Sequence, residues 1–220
     1  MNIVKFLFEL FILKPFRFTM EFYVNSSRYK FAEIVQGGSL PVEKLTSIQH
    51  FRYEMYKRNQ DYLIPKTEEE FKIEEDLDRR SYHAVVYDQN KEIIAATRLT
   101  PYPFETTSIL GTNNTLPFKR YLEISRLICK KKNAGIGKRL LIKSGCFAIR
   151  SKKYDGFIAI CRDENCSIFQ KFGLKTIYQF NYSQRGSAKY NFICADFFKV
   201  SSSTFKHLQK KLIYRLTTLN

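Results

Sequence analysis

The clearest alternation of apolar and polar positions lies between residues 121 and 148. Apolar and polar residues alternate through Tyr121–Ile128, which predicts a β-strand. A basic turn with two glycines follows, and from Gly135 to Ala148 apolar residues recur at helical spacing. We therefore predict a strand, a turn and a helix in direct succession.

The same kind of pattern predicts the remaining elements. Pro41 opens a helix whose apolar positions continue to Tyr56. A β-hairpin over 82–99 follows, while 59–73 is predicted to be irregular and 100–119 to be a long loop. The later predictions are a strand at 157–161, a short helix near 165–172, strands near 174–180 and 189–194, and a C-terminal helix capped by Ser201–Thr204.

This order predicts an α/β (α+β) fold in which helices flank a mixed, mainly antiparallel sheet. The length of 220 residues suits one such domain with extensions. We divide the chain into an apolar and aromatic N-terminal extension (1–40), a central domain (41–198) and a basic C-terminal helix (199–220).

Composition narrows the possible partners. The 37 basic and 21 acidic residues give a net charge of +16, which favours an anionic partner of any class. The five cysteines form no C-x-x-C pair, and with three scattered histidines they predict no metal site. Unpaired cysteines in apolar runs are typical of buried side chains in a reducing cytoplasm.

The first residues of the chain, 1–15, are apolar but interrupted by Lys5 and Glu9, and residues 1–18 are the candidate for contact with a membrane. The apolar run is shorter than the roughly 20 residues that cross a bilayer, and no signal-peptide cleavage site follows. Two alternatives stay open: peripheral contact with a membrane surface, or packing on the same domain or on a second copy.

The turn after residue 128 has the composition of a phosphate-binding site. A helix N-terminus presents unpaired backbone N–H groups to an anion, and glycines let the backbone approach it. The candidate phosphate-binding residues are Lys132, Gly135, Ile136, Gly137 and Lys138. Taken alone, this motif is also compatible with an ordinary turn that carries solvated lysines.

Over roughly residues 41–198 this element order and junction resemble the GNAT N-acyltransferase superfamily. Its pyrophosphate loop usually reads Arg/Gln-x-x-Gly-x-Gly/Ala, and here the sequence is Lys132-Asn-Ala-Gly135-Ile-Gly137. The resemblance implies the GNAT fold and a phosphopantetheine thioester whose phosphates are held at this turn. Acyl-phosphopantetheine would then be a co-substrate, and we expect no tightly bound cofactor.

A narrower resemblance is to acyl-homoserine-lactone (autoinducer) synthases and N-acyl amino acid synthases. Four features occur in the same order: Arg52 with Tyr56, the acidic cluster Glu74–Asp78, Arg98-Leu-Thr-Pro101, and Glu123-Ile-Ser125-Arg126. The lactone synthases characteristically carry a Trp after the first helix and tend to lack the glycine loop. This chain has no Trp and has the glycines, so the resemblance favours the N-acyl amino acid branch.

The resemblance implies transfer of a medium or long acyl chain to the amine of an amino acid-like acceptor. Glu123 is the candidate general base, and Ser125 and Arg126 complete the catalytic set. An ion pair with a neighbouring Arg is the structural alternative for Glu123, and an ordinary strand hydroxyl is the alternative for Ser125. Simple alternation places Arg126 on the opposite face, so a shared site requires a bulge in the strand.

The acceptor-binding candidates are Arg52, Asp78 and Arg98. A guanidinium group fits a carboxylate bidentately, and an aspartate can hold an ammonium group. Each of the three is equally compatible with a surface charge. Phe169 occupies the position where many GNAT enzymes carry a tyrosine general acid, so the leaving thiolate would take its proton from water or Ser125, or leave unprotonated.

Acyl carrier protein is the expected donor, with coenzyme A as the alternative. Acyl carrier protein is acidic, and a basic patch surrounds the phosphate-binding turn: Lys130, Lys131, Lys132, Lys138, Arg139 and Lys143. Two other functions stay open, a lactone synthase that uses S-adenosylmethionine and a non-catalytic membrane- or nucleic-acid-binding module. Nucleic acid is not the expected partner, because no interleaved aromatic and basic reader motif is present.

Overall fold

The structure, a computed structural model, describes residues 14–25, 29–59, 61–110, 118–130, 135–181, 188–204 and 206. Within these ranges one eight-stranded sheet is flanked by seven helices. The predicted α/β (α+β) fold class with a mixed, mainly antiparallel sheet is confirmed.

The elements are named in chain order. The helices are α1 (Lys14–Asn25), α2 (Val42–Asn59), α3 (Glu68–Arg80), α4 (Glu105–Leu110), α5 (Ile136–Ser151), α6 (Asp163–Gln170) and α7, which is helical over 197–204. The strands are β1 (Lys30–Phe31), β2 (Val35–Gln36), β3 (Tyr82–Tyr87), β4 (Ile93–Pro101), β5 (Tyr121–Cys129), β6 (Gly156–Arg162), β7 (Lys175–Asn181) and β8 (Lys189–Asp196). Short 3₁₀ turns lie at Gly37–Ser39 and Asp61–Leu63.

The sheet has the order β1-β3-β4-β5-β6-β8-β7, and β2 also pairs with β3. Neighbouring strands are antiparallel except β5 and β6, which are parallel because the α5 crossover joins them. Their pairing runs from Tyr121↔Gly156 to Glu123↔Ile158. Beyond Glu123 the two strands separate, which opens the centre of the sheet.

Alternation along β6 shows how the sheet divides the core. Phe157 and Ala159 belong to the large cluster that includes the apolar face of α5, whereas Ile158 belongs to a second cluster with Phe104 and Phe192. A third cluster joins α2 to the β3–β4 hairpin through Ile48. The sheet is therefore covered on both faces, as the near-continuous apolar run in β6 requires.

The described part of the N-terminal extension packs on the same domain. Met20 and Val24 of α1 are buried in the large core cluster beside α5, and β1 and β2 pair with β3. The described helix α1 thus packs on the same domain through one face, and the membrane contact of residues 1–18 stays a prediction. Residues 1–13 lie outside the described ranges. No helix within those ranges has the length and apolar character needed to cross a bilayer.

Two predictions of irregular structure are wrong. Residues 68–73 are the first turns of α3, where the Thr67 hydroxyl accepts a hydrogen bond from the Glu70 N–H at 3.2 Å. Threonine followed three residues later by glutamate is a sequence signal for this helix start. The predicted 100–119 loop contains the helix α4, and its residues 111–117 lie outside the described part.

The predicted cap of the C-terminal helix is also wrong. The helix begins at residue 197, and the Asp196 carboxylate caps it by accepting a hydrogen bond from the Lys199 N–H at 2.8 Å. Ser201 and Thr204 lie inside the helix, where the Thr204 hydroxyl donates to the Val200 carbonyl at 2.7 Å. The remainder of the predicted helix, 207–220, is outside the described residues.

Gly37, in the 3₁₀ turn after β2, packs closely on the backbone of α3. A Cβ at Gly37 would lie 2.0 Å from the Asp78 carbonyl oxygen, a backbone atom that cannot yield without moving α3. We expect Gly37→Ala to lower the free energy of unfolding by about 1–3 kcal/mol, as overpacking does. Urea unfolding followed by circular dichroism measures this.

Gly145→Ala is the matched control. Nothing lies within 4 Å of a Cβ at Gly145, which is in the interior of α5. The free energy of unfolding of this control should be unchanged or should rise by up to about 1 kcal/mol, because alanine has a higher helix propensity than glycine. Equal stability of the two variants would contradict the proposed backbone contact.

Candidate active site

A bulge in β5 brings the three catalytic candidates to one place. Arg126 has a φ of 55°, in the left-handed region that non-glycine residues rarely adopt. Two residues of β5 thereby oppose one residue of β4, and the register runs from Arg98↔Ser125 to Ala96↔Ile128. The bulge that a site shared by Glu123, Ser125 and Arg126 requires is confirmed.

Six charged side chains form a continuous buried cluster, called the ionic network below. Its members are Arg52, Glu74, Asp78, Arg98, Glu105 and Arg126. They come from α2, α3, β4, α4 and β5, so five elements meet at this point. The predicted acceptor-binding residues Arg52, Asp78 and Arg98 and the predicted catalytic Arg126 therefore lie together in one structure.

Each guanidinium group of the network binds at least two carboxylates. Arg52 makes two hydrogen bonds to Asp78, one of them 2.8 Å from Nη1 to Oδ1, and its Nη2 lies 3.7 Å from Glu74 Oε1. Arg98 Nη1 lies 3.0 Å from Glu74 Oε1 and 3.1 Å from Asp78 Oδ1, and its Nη2 lies 2.6 Å from Glu105 Oε2. Arg126 Nη2 lies 2.9 Å from Glu74 Oε2 and 2.8 Å from Glu105 Oε1.

The network keeps Glu74 and Asp78 ionised in spite of burial. Burial by itself would raise the pKa of Glu74, but Arg126, Arg98 and Arg52 together hold that pKa well below its ordinary value. Burial opposes ionisation of Asp78 as well, and the charge and hydrogen bonds of Arg52 lower its pKa. Because the network contains three guanidinium groups and three carboxylates, its formal charges balance.

Glu123 lies beside the network and is held by the first turn of α4. Its carboxylate accepts hydrogen bonds from the backbone N–H of Glu105 at 2.7 Å and of Thr106 at 3.0 Å, and from the Thr106 hydroxyl. Burial, followed by the charge of Glu105, raises the pKa of Glu123 from about 4.5 to about 7. The sequence also allows Glu123 to form an ion pair with a neighbouring arginine instead of acting as a base. Its hydrogen bonds among the described residues are with Glu105 and Thr106 of α4.

A cavity of about 200 Å³ opens where β5 and β6 separate, and we call it the splay cavity. Glu123, Ser125, Arg126 and Glu105 line it. The rest of its wall is largely apolar and includes Ile109, Ile124, Leu127, Ile128, Ile160, Ile168 and Phe169. Phe169, which takes the place of the tyrosine general acid of many GNAT enzymes, thus lies at the cavity wall.

A second cavity, of about 470 Å³, lies between α2 and α3 and is called the α2–α3 cavity. The network residues Arg52, Glu74 and Asp78 form one wall, and Tyr53 and Tyr56 contribute aromatic surface. The ionic network therefore borders both cavities. Glu105 and Arg126 line the splay cavity, and Arg52, Glu74 and Asp78 line the α2–α3 cavity.

The hydroxyl of Tyr56 is buried at this second cavity and has no hydrogen-bond partner among the residues that the structure describes. Burial raises its pKa, so the hydroxyl is a neutral donor. A buried polar group without a partner is costly, which makes this hydroxyl a candidate contact for a polar ligand.

The phosphate-binding candidates lie at the start of α5. Gly135 has a φ of 68° and is the N-cap, with no side chain that caps the helix. A Cβ at Gly137 would lie 3.0 Å from Cys129 Sγ, which accepts a hydrogen bond from the Gly137 N–H. Ile136 is buried, so its backbone alone can face a ligand. Lys132 lies outside the described residues, and the phosphate-binding role of this turn stays a prediction.

Part of the predicted basic patch has a structural role. Arg139 donates a hydrogen bond to the Tyr23 carbonyl and lies 4.1 Å from the Tyr23 ring centroid. Lys143 donates to the Phe31 carbonyl at 3.0 Å. Both side chains anchor the N-terminal segment. Lys130 pairs with Glu92 at 3.1 Å, and Lys131 lies outside the described residues with Lys132.

The sequence patterns do not single out Glu105, Thr106 or Glu74 as site residues. Glu74 lay in the acidic cluster, but the cluster was not assigned to a helix, so the side chain that faces Arg98 could not be chosen. Glu105 and Thr106 lay in the predicted loop. A helix start at residue 105 is the feature that would have identified them, since a carboxylate near a helix N-terminus is favourable.

Comparison with solved structures identifies the fold. The AHL synthase LasI superposes with a TM-score of 0.61 at 9% identity, over 82% of this chain and 96% of that one. TofI in a ternary complex with an inhibitor and MTA gives 0.61 at 14% identity, over 80% and 96%. An acyl-CoA N-acyltransferase from Pseudomonas aeruginosa gives 0.56 at 12% identity, over 76% and 98%.

No family model and no curated protein sequence matches this chain. The similarity to these structures establishes the fold: the chain has the GNAT fold that is shared by N-acyltransferases and AHL synthases, as the sequence resemblance predicts.

The raised pKa of Glu123 predicts a pH-dependent stability. Between about pH 4.5 and about pH 7 the folded protein retains a proton that the unfolded chain has lost, so the free energy of unfolding falls as pH rises. Between pH 5 and pH 7, the free energy of unfolding of the parent protein should fall by about 2 kcal/mol more than that of Glu123→Gln. Urea unfolding across this range tests it. His83 titrates in both proteins, so its effect cancels, and parallel curves would contradict the shifted pKa.

The network predicts a large cost for removing a single charge. Arg98→Met removes one of the two guanidinium partners of Glu105 and of Asp78 and leaves the buried network with one uncompensated carboxylate charge, so we expect a loss of about 3–5 kcal/mol in unfolding free energy. Arg120→Met is the control, because its pair with Asp155 is solvent-exposed and should contribute less than about 1 kcal/mol. A similar loss in both variants would show that the buried network is not specifically stabilising.

Proposed function

We propose that this protein is an N-acyltransferase. In this proposal it moves a medium or long acyl chain from an acyl carrier protein thioester, or from acyl-CoA, to the amine of an amino acid-like acceptor. One observation carries the proposal: a carboxyl group with its pKa raised to about 7, Glu123, lines the cavity that opens between β5 and β6. A group of that pKa is suited to general base catalysis near neutral pH.

The splay cavity is the proposed site of the acyl-phosphopantetheine. Its wall is largely apolar, which suits an acyl chain, and Glu123 and Ser125 lie on the β5 side. Because β5 and β6 no longer pair beyond Glu123, backbone groups at this edge are available to the pantetheine amides. The turn at Gly135 and Gly137, with Lys132 and Lys138, would hold the phosphates at the start of α5.

The reaction needs a neutral amine and a path for its proton. Glu123 accepts the proton as the amine nitrogen forms a bond with the thioester carbon, and the carbon–sulfur bond then breaks to release the thiolate. Arg98 Nε donates to Ser125 Oγ at 3.2 Å. The Ser125 hydroxyl hydrogen therefore remains to stabilise the oxyanion or the departing sulfur.

The α2–α3 cavity is the proposed entry for the acceptor. Glu74 and Asp78 on its wall are already paired within the ionic network, so the exposed Glu75, in competition with its partner Arg79, is the carboxylate proposed to attract an ammonium group. The fork of Arg52 is already bound to Asp78, so an acceptor carboxylate must compete with that pair. The hydroxyl of Tyr56 offers an additional donor for the acceptor. To reach Glu123, the amine must pass the ion pairs of Arg126 with Glu74 and Glu105.

Lactone synthesis from S-adenosylmethionine is the second candidate function. It is favoured by the TM-scores of 0.61 with the AHL synthase LasI and with TofI, which was solved with MTA. The absence of Trp and the presence of the glycine turn favour the N-acyl amino acid alternative. Release of methylthioadenosine during turnover separates the two functions.

The test incubates the purified protein with acyl carrier protein thioesters, or acyl-CoA, and a pool of amino acids. We expect acyl-amides by mass spectrometry, and we expect Glu123→Gln to lower kcat by about 10²–10⁴-fold, since it removes the base. Glu92→Gln, an exposed carboxylate paired with Lys130, should leave kcat unchanged. Equal yields from Glu123→Gln and the parent would refute Glu123 as the base.

A further inference from the structure

Helix α1 exposes two phenylalanines on the face that points away from the protein. Phe18 is 75% exposed and Phe22 is 71% exposed, and their spacing of four residues places them side by side. Met20 and Val24, on the opposite side of the helix, are 0% and 3% exposed. The buried side already anchors α1 to α5, so the aromatic side is an additional apolar surface that the packing of the domain does not use.

The sequence immediately before α1 extends this apolar character. Ten of residues 1–13 are hydrophobic, and Lys5 and Glu9 are the charged ones. A segment of this length is shorter than the roughly 20 residues that cross a bilayer, but it is long enough to lie in a membrane interface. In the sequence, the exposed pair thus follows a run of apolar residues.

The layer that presents these aromatics is strongly basic. Helices α1 and α5, with the two residues after α5, carry eight basic residues and one acidic residue, Glu21. The basic ones are Lys14, Arg17, Lys138, Arg139, Lys143, Arg150, Lys152 and Lys153. Arg139 and Lys143 bind backbone carbonyls of the N-terminal segment, whereas Arg150, Lys152 and Lys153 are exposed. Arg150 pairs with Glu21, which joins the end of α5 to the middle of α1. An apolar face on a cationic layer matches the charge of an anionic phospholipid surface.

We propose that the protein docks on anionic membranes through Phe18 and Phe22, with the exposed basic residues at the end of α5, Arg150, Lys152 and Lys153, facing the lipid headgroups. The proposal rests on exposure and charge and is independent of the acyltransferase function. A second copy of the chain is the competing occupant of this face. The basic layer disfavours it, because a symmetric contact would bring like charges together.

The first experiment uses flotation of the full-length protein with vesicles. The lipids are phosphatidylcholine alone, or equal parts of phosphatidylcholine and phosphatidylglycerol. We expect binding to the anionic vesicles that weakens as salt is raised, and a loss of at least about tenfold in partitioning for Phe18→Ser/Phe22→Ser. The matched control is Val42→Ser/Ile177→Ser, which removes two exposed apolar side chains elsewhere and should bind like the parent.

The second experiment uses the absence of tryptophan from the sequence. The variant Phe22→Trp places a single tryptophan on the proposed face, and a separate variant, Ile177→Trp, places a single tryptophan on β7. Anionic vesicles should shift the emission of the first variant to shorter wavelength, and brominated lipid should quench it. The second variant should not respond. These measurements need no turnover, so they give a result whether or not the protein is an acyltransferase.

Three results would overturn the proposal. Vesicle binding that Phe18→Ser/Phe22→Ser leaves intact would place the contact elsewhere. Lack of vesicle binding by the parent would exclude a membrane partner. A dimer of the parent, seen by sedimentation without lipid and lost in Phe18→Ser/Phe22→Ser, would assign the face to a second copy.

Discussion

Three guanidinium groups and three carboxylates, removed from water together, hold the functional end of this sheet in place. Arg98 is central, because its side chain is fully buried and binds carboxylates from α3 and α4 at once. Burial of any one of these charges alone would be strongly unfavourable, and their mutual attraction offsets that cost only when every partner is present. The five elements that supply the network therefore depend on one another for their positions.

The network also determines where the candidate base lies. Glu105 binds Arg98 and Arg126 through its carboxylate, while its backbone N–H binds Glu123. The short helix α4 thus connects the charge cluster to Glu123. Since the charge of Glu105 also contributes to the raised pKa of Glu123, the geometry and the proton affinity of that group have a common source.

The separation of β5 and β6 gives this arrangement access to substrate. A fully paired parallel sheet would have no opening at its centre, and the bulge at Arg126 directs that side chain to the same site as Glu123. Strand separation, a bulge and a helix N-terminus are all departures from regular structure. Each of them leaves polar groups or space where a regular sheet would have neither.

Sequence patterns were enough to predict the fold class, the elements from α2 to β8 apart from α3 and α4, and most of the residues that meet at the site. Arg52, Asp78, Arg98, Glu123, Ser125 and Arg126 were selected from the sequence, and a bulge was inferred as the condition for bringing the last three together. Apolar periodicity and short motifs carry this information because they record which side of a local element faces the core. The functional roles of these residues remain predictions.

Which charges pair, and which groups Glu123 contacts, depend on the tertiary structure. The partners of Arg126 lie 52 and 21 residues away in sequence, at Glu74 and Glu105, and no local pattern encodes such distances. The use of Arg139 and Lys143 to anchor α1 and β1, rather than to face solvent, was decided in the same way. Local sequence specifies the elements, whereas the pairing of buried charges depends on how those elements pack, because only packing removes them from water and brings their partners within reach.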